Sequence, residues 1–86
     1  MPKLNRAILR YDIDDCVKQL QQILAKLDAR KPLDDIEYRI EMQHAFHHLN
    51  FAWNARHWPM KRYEQCSKRD FKKAGDFPKD LLNIDD

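Results

Sequence analysis

Threonine is absent from this 86-residue chain, and valine, glycine and serine occur once each. So few residues suited to pleated backbone make a sheet improbable, and the frequent Leu, Lys, Gln and Arg favour helix. One glycine cannot build a glycine-rich phosphate loop. One serine outside any GxSxG turn leaves no serine-hydrolase elbow. The two cysteines, Cys16 and Cys66, are too few and too distant for a disulfide framework or a CxxC metal site, and read as reduced thiols on apolar stripes. Charge of one sign is not in excess either: 16 basic and 14 acidic residues give +2, so any attraction to a polyanion must be local. No apolar run approaches the roughly 20 residues of a membrane span. Ala7-Ile8-Leu9 is shorter than the roughly seven residues a secretory leader needs, which gives the expectation of a soluble cytoplasmic protein.

What is present is helical periodicity. Leu9, Ile13, Val17, Leu20, Leu24 and Leu27 recur at spacings of three and four, widened by Cys16 and Ile23. They predict one amphipathic helix, capped by Asn5, Asp12 or Asp14. Lys31-Pro32-Leu33 breaks it, and Asp34 or Asp35 can cap a second helix reaching Trp58 before Pro59. A link that short predicts an antiparallel hairpin. Met60, Tyr63, Ser67, Phe71 and Ala74 share one side of a third helix, and Gly75 stands where such a helix would end. Phe77-Pro78 and Leu81-Leu82 allow a short docking turn beyond it. No repeat or linker divides residues 1–86, which read as one small helical domain.

The second helix carries apolar residues on two faces. Tyr38, Met42, Ala45, Phe46, Leu49, Ala52 and Trp53 form one, read as the seam against the first helix. Ile36, Ile40, His47, Phe51 and Trp58 form a nearly opposite stripe, read as an interface, with Trp58 its anchor. A chain this small has few elements to cover both. The expectation is therefore an all-α hairpin plus a third amphipathic helix, completed as a bundle by a homodimer or a helical protein partner. A third helix folded back over the Phe51 stripe is the structural alternative.

Three functional readings follow. The first is a noncatalytic, self-associating interaction module with no cofactor. The second is an electrostatic binder of nucleic-acid backbone or an acidic partner through Arg56, Lys61, Arg62, Lys68, Arg69, Lys72 and Lys73, which crowd the third helix without any base-reading motif. The third is a metal-binding bundle using Glu37, Glu41, His44 and His48, since Glu-x-x-His and His at i, i+4 are ligand spacings. That third pattern lacks facing Glu residues, because the first helix contains none. Aromatics around Pro59 could stack a ring-bearing ligand, but such a cluster is more often core and interface. A Cys66–His57 pair has no reason to meet across the proline, and no residue set makes a catalytic centre. His44 and His47, if buried and neutral, would loosen the assembly as pH falls from about 7 to 5.

Overall fold

A computed structural model describes residues 3–83, and every regular element among them is helical. Helix α1 spans Arg6–Asp28 and α2 spans Asp35–Asn54; the expected third helix is instead two short ones, α3 (Met60–Glu64) and α4 (Lys68–Ala74). A 3₁₀ turn, Lys79–Asn83, follows; residues 84–86 and the side chains of Leu82 and Asn83 lie outside the described part.

Local chemistry explains the boundaries. The Asn5 side chain accepts from the N–H of Ile8 and Asp34 from that of Glu37, so each long helix has an N-cap. Asn5 also ties the start of α1 to the end of α2: its backbone N–H donates to the Arg56 carbonyl (2.7 Å) and its amide to that of Trp58 (2.8 Å). Ser67 caps α4 by accepting from Asp70 N–H, which is why the third helix breaks there. A serine that terminates one segment and caps the next cannot continue a stripe.

Helix α1 ends in a Schellman arrangement, with Lys31 N–H donating to the Lys26 carbonyl (3.3 Å) and Arg30 N–H to that of Leu27 (3.2 Å). Arg30 holds φ 53°, left-handed backbone that suits glycine. Arg30→Gly is accordingly expected to stabilise the chain by about 1 kcal/mol and raise its midpoint by roughly 4–8 °C, measured by thermal denaturation.

The core sits where α1, α2, α3 and α4 meet. Ile8 is fully enclosed, Phe51, Ala55 and Ala74 are buried beside it, and Trp58, Met60, Tyr63 and Cys66 pack around them. Phe51 is ringed by Trp58, Tyr63, Phe71 and His47, with centroids 5.0–6.2 Å away. Two asparagines of α2 close the far end of α4: Asn50 donates to the Gly75 carbonyl (2.8 Å), and Asn54 to those of Ala74 (2.9 Å) and Asp76 (2.8 Å). Gly75 does end α4, but with φ −80° its lack of a side chain serves proximity: a Cβ there would lie 3.0 Å from His47 Nδ1.

The hairpin seam differs from the one the periodicity suggests. Helix α1 buries Ile8, Asp12, Cys16 and Ile23, while Ile13, Val17, Leu20, Leu24 and Leu27 stay exposed. On α2 the matching contacts are Ala45 and Ala52, and the Cys16 thiol reaches the Ala45 carbonyl at 3.6 Å. Small residues on that edge let the two backbones approach, and one line of contact per helix leaves the bulkier edge outside.

Candidate association face

The bulky edges of α1 and α2 form one continuous surface. Leu20, Leu24 and Leu27 of α1 and Phe46 and Leu49 of α2 are each about half exposed. Towards the α1 N-terminus the surface dips into a groove of about 470 Å³, walled by Leu4, Leu9, Ile13, Phe46, Leu49, Trp53, Phe77, Pro78 and Leu81. The tail that forms one wall is pinned by Trp53, whose indole N–H donates to Asp80 (3.1 Å). Arg56 lies over the Trp53 ring at 3.9 Å and donates to its carbonyl at 2.8 Å. The groove's polar rim, Asn50 and Arg56, is thus already occupied in holding α4 and the tail. Apolar contact is the chemistry this surface offers.

The residues expected at a partner interface separate. Phe51 is only 5% exposed and Trp58 is half-buried, because α3 and α4 fold back over them; Phe51 cannot face a partner while that core is intact. His47 is packed between Phe51 and Phe71 at 5.0 and 4.7 Å. Ile36 and Ile40 remain outside, 73% and 47% exposed. The alternative in which the chain covers its own Phe51 stripe is the arrangement found, and the uncovered face is the one expected to be core.

The Glu/His stripe does not gather as a metal site. Lys26 reaches across from α1 to bond both Glu37 (2.8 Å) and Glu41 (2.7 Å), and these hydrogen bonds raise its pKa. His44 is exposed and His48 half-buried. Among the described residues no group of three or more His, Cys, Asp or Glu side chains is placed to hold a metal.

The seven cations do not share one helix face either. Arg62 stacks on Trp58 at 4.1 Å and forks onto Asp70 at 2.8 and 3.3 Å, holding that carboxyl below its usual range. Arg56 is engaged as described, and Lys61, Lys68, Arg69, Lys72 and Lys73 are exposed on two separate short helices.

Asp12 is a buried acid that periodicity did not single out. It lies 3% exposed, accepts from the Tyr63 hydroxyl at 2.9 Å and leaves its other oxygen without a partner. Burial pushes its pKa up, against the opposing Tyr63 hydrogen bond. An acid inside the Leu9/Ile13/Cys16 run was the available signal, and it marks where α1 leans on α3.

No protein-family model, curated protein or solved structure matches the chain.

His47 makes the α2–α4 contact sensitive to acid. Burial lowers its pKa from the usual 6.5, and neighbouring His48 and His44 lower it further. The folded state therefore holds this proton less readily than the unfolded state, and stability falls as pH drops below about 6.5. The effect is expected at the α4 cap, not at the open face. Between pH 7.5 and 5.5 the thermal midpoint should fall by a few degrees, and less in His47→Gln.

Proposed function

We propose that this chain is a noncatalytic helical association module whose working surface is the open apolar face of α1 and α2. One observation carries the reading: Ile13, Val17, Leu20, Leu24 and Leu27 of α1 and Phe46 and Leu49 of α2 are all exposed, while among the described residues Ile8 is the one large side chain that is fully enclosed. Scattered surface leucines need no explanation, but a contiguous apolar face bordered by polar residues marks a contact surface. Among the described residues no helix is long and apolar enough to cross a membrane.

Methyl NMR with a soluble paramagnetic agent tests the reading. Methyls of Leu20, Leu24 and Leu49 are expected to be protected at high protein concentration and to become strongly relaxed on dilution. Strong relaxation at every concentration, with any partner absent from co-purified material, would contradict it.

A further inference from the structure

Arg10 and Asp28 lie eighteen residues apart in α1, about five turns, so both project from the same outer edge of the open stripe, roughly 27 Å from one another. Each has the wrong sign for its place. Arg6 and Arg10 occupy the first two turns of a helix whose first turn contains no acid, and Asp28 closes the last turn. We infer that the open face is covered by a second copy of this chain, with α1 lying antiparallel on α1 of that copy about a two-fold axis near Gln19; this rests on the association reading above.

An antiparallel neighbour corrects both mismatches, because Arg10 then meets Asp28 of the second copy. Two-fold symmetry makes the pair occur twice. The apolar layers close about an axis half a residue away, between Lys18 and Gln19: Ile13 falls opposite Leu24 of the second copy, and Val17 opposite Leu20. Their alternating spacings of four and three are those of a coiled-coil seam. Since Cys16 lies beside Ala45, Met42 is level with Gln19, and the axis sets Tyr38 against Phe46 of the second copy on the α2 side.

Size agrees. A face one 23-residue helix long (about 35 Å) and two helices wide (about 20 Å) covers about 700 Å², close to the roughly 800 Å² per partner of a stable interface. The radius of gyration, 14.9 Å, exceeds the roughly 12 Å of a compact chain this long, as suits half of a larger body.

The test is sedimentation equilibrium of the full chain carrying Arg10→Glu, Asp28→Lys or both, with helix content followed by circular dichroism. Both side chains are exposed, so folding should be retained. Each single reversal is expected to raise the dimer Kd about 10-fold, because two attractive pairs become repulsive, and the double reversal to return it to within about 3-fold of wild type. A dimer indifferent to the single reversals, or not restored by the double, overturns the antiparallel α1 pairing and leaves the association face standing. A wild-type chain that remains single at all concentrations overturns the second copy as occupant, and persistent methyl exposure overturns the face itself.

Discussion

Phe51→Ala should lower the free energy of unfolding by about 3–5 kcal/mol, most of the stability available to a domain of this size. The ring is buried between Trp58, Tyr63, Phe71 and His47, and it is the one large α2 side chain that α1, α3 and α4 share. Truncation opens a cavity among four aromatic rings that backbone ties hold in place. Asn5 fixes the α2–α3 turn, and Asn50 and Asn54 fix the end of α4, so collapse into the void is restricted. A urea titration should show the midpoint moving sharply with little change in slope. An unaltered midpoint with altered association would mean that Phe51 faces a partner, as the helical wheel alone suggests.

Leu20→Glu should do the reverse: leave the single chain folded and weaken self-association by 100-fold or more. Leu20 is 46% exposed and touches the open face, and Glu is nearly as good a helix former as Leu. The folded chain therefore loses little. In a two-fold assembly the substitution buries two carboxylates beside each other and beside Val17, and neither gains a partner. Sedimentation velocity combined with far-ultraviolet circular dichroism separates the outcomes. Unfolding would assign Leu20 to the core, and unchanged association would move the interface elsewhere.

Phe51 and Leu20 exchange the roles that periodicity suggests, and the reason is instructive. Features set by neighbouring residues were legible: the break at Pro32, the hairpin and the all-α class, with Asn5 and Asp34 among the caps the sequence offers. Ser67 was placed in a continuous stripe, although Ser67 followed by Asp70 three residues on is a capping pattern, and the structure uses it so. The choice of seam was not legible. Both edges of α1 are apolar at helical spacing, and the wheel favours the one with more leucine. Packing favoured the edge where Cys16 meets Ala45, because small side chains bring backbones together, and the Asp12–Tyr63 bond pulls α1 toward α3. Such terms depend on residues some thirty to fifty positions apart.

The candidate sites divide along the same line. Glu37, Glu41, His44 and His48 share one stripe of α2, but Lys26 from another helix engages both carboxylates. Arg62 is basic in sequence, yet in space it is a partner of Asp70 and Trp58. A contact made by a distant residue changes what a local pattern can do.

Light scattering on the wild-type chain across a hundredfold range of concentration tests self-association through the open face most directly. A mass approaching twice 10.4 kDa is expected as concentration rises, with Leu20→Glu staying near 10.4 kDa. A wild-type mass of 10.4 kDa throughout, indistinguishable from the variant, would contradict it.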